Sequence, residues 1–407
     1  MPNPSTYLLK NTTRILILGG LFSSFRLFIG AISAIYLIQS GGLSISSISY
    51  LKGFQSALIV LLSLYIGKLS DQHNRKFILL TAILLCIAWL CLLIMGAHNH
   101  SLAVFYFAET CNSLSLLIML NTYNAYLIDT YQRESRSTDY HWVLGTYTQY
   151  SFPGIAISAI VGSFLYSYLG SMALLIPISL LSLLFLLAAY YLPNQARRDH
   201  KKEVPKKRNK LLLYRLILKK ILDNRALLLG FLLISSYYQI MIQYWQMIAS
   251  YFPLFLQHTW LLGFLFFCIM LVQSLSGKAT KSDFFNLKLI LLGLLISNLT
   301  LTFSVYHRSI VFFVASILFF YFFLRAFITN ANATLHKQIY KPIRSRFDAT
   351  INTAIRTLAI GLFLLLGLLV NYYDIRVVID IGLFITGTTL ALVLFTINQN
   401  NSRKPSK

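Results

Sequence analysis

Apolar runs long enough to cross a bilayer recur along the whole chain, and several of them contain no charged residue. Crossing about 30 Å of hydrocarbon takes about 20 helical residues, because each backbone polar group there must find its partner inside the segment. The runs lie near residues 15–37, 46–66, 77–97, 102–128, 142–168, 171–192, 226–250, 255–276, 286–306, 309–332, 350–371 and 378–398. They predict an all-α polytopic membrane protein with twelve transmembrane helices in two six-helix bundles. Barrel strands need only about 10 alternating residues, so runs of this length disfavour a β-barrel. The first run lacks a small-residue cleavage pattern and reads as a retained helix.

Of the 407 residues, 57% are hydrophobic and 12% charged, a composition suited to lipid, where each buried charge is costly. The formal charge of +23 would suggest nucleic acid in a water-facing chain, but its distribution argues otherwise. Lys68, Arg75, Lys76, Arg133, Arg136, Lys278, Lys281, Lys337, Lys341, Arg344 and Arg346 all fall in even-numbered connections. The odd-numbered ones carry few cations, with Arg308 and Arg376 the exceptions and Lys52 a minor one near the outer end of the second run. By the positive-inside bias, both termini are expected in the cytosol, with the chain in the cytoplasmic (inner) membrane. Cys86, Cys91, Cys111 and Cys268 sit in apolar runs without a paired metal spacing and read as small buried hydrophobes.

Residues 193–225 are rich in Lys and Arg, with Pro193 and Pro205 interrupting any continuous helix. The expected organisation is therefore a bundle over 1–192, a basic cytosolic linker over 193–225, and a second bundle with a short tail over 226–407. The linker's end, LLLYRLILKKIL, either lies on the anionic inner surface as an amphipathic helix or forms a plain solvated connector. Gly67-Lys68 recurs as Gly277-Lys278 and Ser135-Arg136 as Ser345-Arg346, at one constant offset of 210 residues. Such faint symmetry is expected of a transporter built from repeated bundles.

Between the second and third runs stands GKLSDQHNRK, residues 67–76. Its Gly67, Asp71 and Arg75, followed by Lys76, resemble the loop pattern of the major facilitator superfamily. Residues 124–145, NAYLIDTYQRESRSTDYHWVLG, and 341–350, KPIRSRFDAT, resemble further connections of that family, although Phe347 and Asp348 interrupt the second. The resemblance implies a cytosolic gating loop at Gly67, Asp71 and Arg75 that latches the outward-facing arrangement. Gly67 is expected to let the second helix end close to its neighbour, and Asp71 to accept hydrogen bonds from Arg75 or from a helix end. In SFPGIAISAIVGSF, Gly154, Ser158 and Gly162 form a small-residue stripe suited to close helix contact. The segment resembles the antiporter motif of proton-driven drug exporters, with Ala159 where its proline is expected.

Charges inside the runs carry the functional reading. Arg26 and Glu109 both fall near the bilayer middle, and family geometry implies that their helices adjoin, so a pair between them is a plausible central element. Glu109 serves either proton coupling or cation recognition, or else a structural salt bridge. Arg325 and Arg356 either receive an anionic solute or snorkel toward the cytosol and fasten the bundle. Gln243, Trp245 and Gln246 offer hydrogen bonds and a stacking face to a cavity. Asn112, Asn121 and Asn124 add polar positions on the fourth helix, and Asp129 at its cytosolic end reads as a gate contact.

No ATP-binding Gly-rich loop with its lysine, catalytic dyad or metal cluster stands in the sequence, so neither enzyme chemistry nor a cofactor is expected. The expected function is secondary active transport of a small organic solute, with proton-coupled export favoured and a monomer sufficient. Import of an organic nutrient or siderophore-like compound is the alternative, with Arg325 and Arg356 favouring acidic groups, and a non-transporting receptor or scramblase a further one. Protons and membrane lipids are the other expected partners; nucleic acid is not.

Overall fold

The computed structural model describes residues 10–135, 140–193, 225–279, 286–338 and 344–402. All regular structure among them is helical: α1 (Lys10–Arg26), α2 (Ser33–Gln39), α3 (Ile45–Gln72), α4 (Arg75–Asn99), α5 (Leu102–Ile118), α6 (Asn124–Ser135), α7 (Tyr140–Leu169), α8 (Leu175–Tyr191), α9 (Arg225–Ala249), α10 (Pro253–Gln257), α11 (Trp260–Ala279), α12 (Leu287–Tyr306), α13 (Ile310–Gln338), α14 (Arg344–Tyr373) and α15 (Val377–Ser402). A π-helical turn, Met119–Tyr123, joins α5 to α6. Nine stretches among the described residues are long and apolar enough to cross a membrane, including Arg75–Asn99, Leu102–Ser135 and Ile310–Leu335. The chain is thus an all-α membrane protein with multiple apolar spans. Nearly the whole basic linker, with its candidate amphipathic helix, lies outside the described residues.

Contacts group the chain into two compact units, residues 1–198 with 254–267 and residues 199–253 with 268–407. In the first, α4 packs on α5 and α8, α3 on α5, and α1 on α7. Ile59, Ile66, Ile78, Ala82, Leu117 and Ile118 fill the seam where α3, α4 and α5 meet. In the second, α9 packs on α13, α14 and α15, and α12 on α13 and α15. Large apolar side chains stay exposed in both, among them Leu61, Phe107, Leu186, Phe319 and Phe384. Their exposure fits helices whose outer faces meet acyl chains rather than water.

Two sequence expectations are corrected. The first run is not one helix over 15–37: after Arg26 the chain tightens into turns bonded three residues back, with Phe28 N–H donating to Phe25 O at 3.3 Å and Gly30 N–H to Leu27 O at 2.8 Å. No proline dictates this break; its neighbour α7 accommodates it. A Cβ on Gly162 would collide with the Phe28 carbonyl, a Cβ on Gly154 would crowd the Ser24 hydroxyl, and Ser158 Oγ donates to Ser24 O at 2.7 Å. The small-residue stripe therefore faces α1 and its broken end, at a distance no larger side chain permits.

The second correction concerns residues 67–76. Helix α3 continues to Gln72, leaving only His73 and Asn74 between it and α4. The residues after Gly67 include no proline and several fair helix formers, and Asn74 starts the next helix by accepting from Lys76 N–H at 3.1 Å. Gly67 is inside α3, and a Cβ there meets no atom within 4 Å, so close helix approach is not why glycine stands there. The expected gating loop is two helix ends and a tight corner.

Candidate functional site

The polar groups of the first unit converge on α5. Glu109 is 1% exposed, and Asn112 follows it on the same helical face three residues on. Glu109 Oε1 accepts from Lys52 Nζ of α3 at 2.8 Å, and Glu109 Oε2 accepts from Asn112 Nδ2 at 2.9 Å. Asn112 Oδ1 then accepts from Arg26 Nη2, on the last residue of α1, at 2.7 Å. The amide is thereby oriented by both neighbours, its oxygen toward the guanidinium and its nitrogen toward the carboxylate. The Arg26 guanidinium also lies 5.7 Å from the Trp89 ring centroid of α4.

Arg26 and Glu109 thus join one network, but through an amide. The direct ion pair belongs to Lys52, which sequence reasoning set aside as an exception to the charge bias. A lysine stem can carry its ammonium far from its own Cα, so position along the helix understated its reach. A hint was available in the sequence, since an uncompensated lysine within a span calls for an acidic partner and Glu109 is near at hand.

At the other end of α5 and α6, Arg75 Nη1 donates to Asp129 Oδ2 at 2.6 Å, joining the start of α4 to α6. Both side chains are nearly buried, so water screens this pair little. The Asp71 side chain lies outside the described residues. Sequence reasoning also missed Glu134: its Oε1 accepts from Asn11 N–H at 3.0 Å, and its Oε2 accepts from Thr12 N–H at 2.9 Å and Thr12 Oγ at 2.7 Å. A carboxylate there caps the free N–H groups of α1, where the helix dipole favours negative charge. Asn121 Nδ2 reaches only the Ser63 carbonyl, at 3.4 Å, satisfying a neighbouring helix.

The second unit places its polar groups differently. Tyr238 Oη donates to Gln273 Oε1 at 2.9 Å, and the Tyr238 ring lies 6.4 Å from that of Tyr321. Arg325 lies one turn beyond Tyr321 on α13. Arg325 and Arg356 are both half-buried, and neither forms an ion pair or hydrogen bond among the described residues. Of the α9 candidates, Gln246 and Trp245 are enclosed at 1% and 2% exposure, whereas Gln243 is half-buried. Glutamines three residues apart on one helix therefore have unlike surroundings.

Comparison with known proteins places this arrangement. The profile of the Major Facilitator Superfamily matches residues 15–342. Among solved structures, the nucleoside transporter NupG is similar with a TM-score of 0.71 at 14% identity, covering 96% of this chain and 99% of its own. A bacterial homologue of the iron transporter ferroportin, in an inward-facing state, gives 0.72 at 14% identity over 96% and 99%. The POT family transporter PepTSo gives 0.68 at 11% identity over 98% and 100%. No curated protein matches the sequence. At these identities the structures speak for the fold, while the profile covers most of the chain: the protein belongs to the Major Facilitator Superfamily and is a membrane transporter.

Proposed function

We propose that the chain moves a small organic solute across the cytoplasmic membrane by secondary active transport, exporting it against protons that pass through Glu109. Both termini lie in the cytosol in this reading, and the cation bias of the even-numbered connections supports that placement. The observation that carries the proposal is the enclosed carboxylate of Glu109, held between Lys52 and the Asn112 amide that bonds Arg26. Protonating Glu109 in place would leave Lys52 and the partly buried Arg26 without a counter-charge among the described residues. Proton uptake therefore belongs to a different arrangement of the helices, which is what coupling requires. The resemblance of the Gly154, Ser158 and Gly162 stripe to antiporter motifs supports export.

Reconstituted vesicles with an imposed pH gradient test this directly, with efflux, uptake and lipid movement followed separately for a panel of solutes. Proton-driven solute flux that disappears in a Glu109→Gln protein that still folds in detergent supports the reading. Flux with unchanged proton dependence in Glu109→Gln defeats it.

A further inference from the structure

Arg26 is only partly satisfied in the interior of the first unit. Its Nη2 is taken by Asn112, yet its Nε is buried without an acceptor among the described residues. The indole N–H of Trp89, whose ring lies 5.7 Å from the same guanidinium, is also buried and without an acceptor. Glu109 bonds neither donor in this arrangement: its oxygens accept from Lys52 and Asn112.

The charges point the same way. Among the described residues of this network, Arg26 and Lys52 contribute two positive charges and Glu109 one negative, which leaves one positive charge in excess in a region where an unpaired charge costs on the order of several kcal/mol. Two neighbouring orphan donors and one surplus positive charge call for a single-charged acceptor. A guanidinium presents its N–H groups in a planar fork that matches the two oxygens of a carboxylate. A phosphate monoester would bring about −1.5 to −2 charges at neutral pH and overshoot the surplus. A chloride ion brings the right charge without the paired oxygens.

We propose that Arg26 and Trp89 receive a carboxylate of the transported solute, so that the cargo is an organic monoanion. The assignment rests on the transport reading only in taking the polar interior of the spans as the place where cargo binds; it does not require Glu109 to carry the proton.

The test uses the full chain purified in detergent. Thermal stability and tryptophan fluorescence are followed with a panel of aliphatic and aromatic monocarboxylates, their uncharged primary amides, methyl phosphate and chloride, at fixed pH and ionic strength. One or more carboxylates are expected to raise the melting temperature and alter the fluorescence, whereas the matching amides, methyl phosphate and chloride do neither. Arg26→Gln should remove the response, Arg26→Lys should weaken it by at least about tenfold through loss of the planar fork, and Trp89→Phe should weaken it while retaining the ring. Ligand-free melting curves identify any variant that fails to fold, in which case Arg26→Lys and Trp89→Phe decide.

In Glu109→Gln, carboxylate binding should be kept or tightened, since the competing negative charge is gone. Amides that stabilise as well as acids, an Arg26→Gln protein with full response, or no response to any carboxylate would each overturn the assignment. Proton-driven flux that persists in Glu109→Gln beside Arg26-dependent binding sinks the coupling reading alone. Lost coupling beside Arg26-independent binding sinks the anion assignment alone.

Discussion

The two units handle buried polarity in opposite ways. In the first, Lys52, Glu109, Asn112 and Arg26 bond in series, so the state of each depends on the others. In the second, Arg325 and Arg356 form no ion pair with an acid among the described residues, and the side-chain bond of Tyr238 to Gln273 joins neutral groups. A serial network concentrates the consequences of one proton at one place. Separately placed guanidiniums instead add a positive field whose parts act independently. The difference is one of coupling: a charge change in the first unit is felt along the whole chain of bonds, and one in the second stays local.

The largest effect that separates the two modes is expected at the Lys52 to Glu109 pair. Removing one partner of a buried ion pair costs about 3–5 kcal/mol, because the other charge stays behind in a medium that does not solvate it. Lys52→Met should therefore lower stability sharply. The double change Lys52→Met with Glu109→Gln should recover much of that loss, a coupling that a double-mutant cycle of unfolding in detergent would read. Single changes that simply add would mean the network does not act as a unit.

Next in size comes the packing that holds the broken first helix. Gly162→Leu forces a side chain into the Phe28 carbonyl and should destabilise by about 1–3 kcal/mol or more, since overpacked seams must shift backbone. Gly67→Ala is the counter-test: its Cβ meets nothing within 4 Å, and alanine in a helix interior is favoured by about 0.5–1 kcal/mol. Melting temperatures of the two variants should therefore move in opposite directions. A Gly67→Ala loss of transport with stability gained would show that this glycine serves motion rather than packing.

How far these features were legible in the sequence follows from the range of the forces involved. The spans were legible because apolar length is a local property, and Arg26 and Glu109 stood out as charges within it. Asn112, three residues after Glu109, carried a readable helical spacing. Lys52 was misjudged because a partner across helices depends on a long stem and on which helices adjoin. The turns after Arg26 had no local signal beyond Gly30; they depend on α7 presenting Gly162 to the Phe28 carbonyl, a tertiary contact. The π-helical turn at Met119–Tyr123 is similarly unannounced, and it resets the facing of Asn121 and Asn124 after the spacing has been counted. Conversely, the two-residue corner before α4 was readable from Asn74, a good N-cap, had the glycine pattern not suggested a longer loop.

The second unit should answer more quietly. Arg325→Gln and Arg356→Gln remove charges that leave no acidic group orphaned, so each is expected to change stability by less than about 1 kcal/mol and the two changes to add. Transport should report them differently, as a raised half-saturation for acidic solutes with little effect on neutral ones. Strong non-additivity in stability would reveal a hidden link and erase the contrast with the first unit.

The smallest effect is expected at the turn between α14 and α15, where charge again meets a bonded setting. Burial would raise the Asp374 carboxyl, but the Tyr251 hydroxyl, the Ile375 N–H at 2.6 Å and Arg376 outweigh it and hold the group below the usual carboxylate range. Burial and the same carboxylate push the Tyr251 phenol up to about 12. A depressed carboxyl stabilises above its unfolded value of about 3.9 and loses that contribution as pH falls through its lower folded value. Asp374 adopts φ +75°, a region asparagine also tolerates, so Asp374→Asn removes the charge while sparing the backbone. With the ion pair to Arg376 at 3.3 Å and about 40% exposed, water screens most of its strength. The wild type should lose a small increment of melting temperature between about pH 4 and 3 that Asp374→Asn lacks. Equal acid sensitivity in both proteins would mean that the left-handed turn, rather than its charge, is what ties α14 to α15.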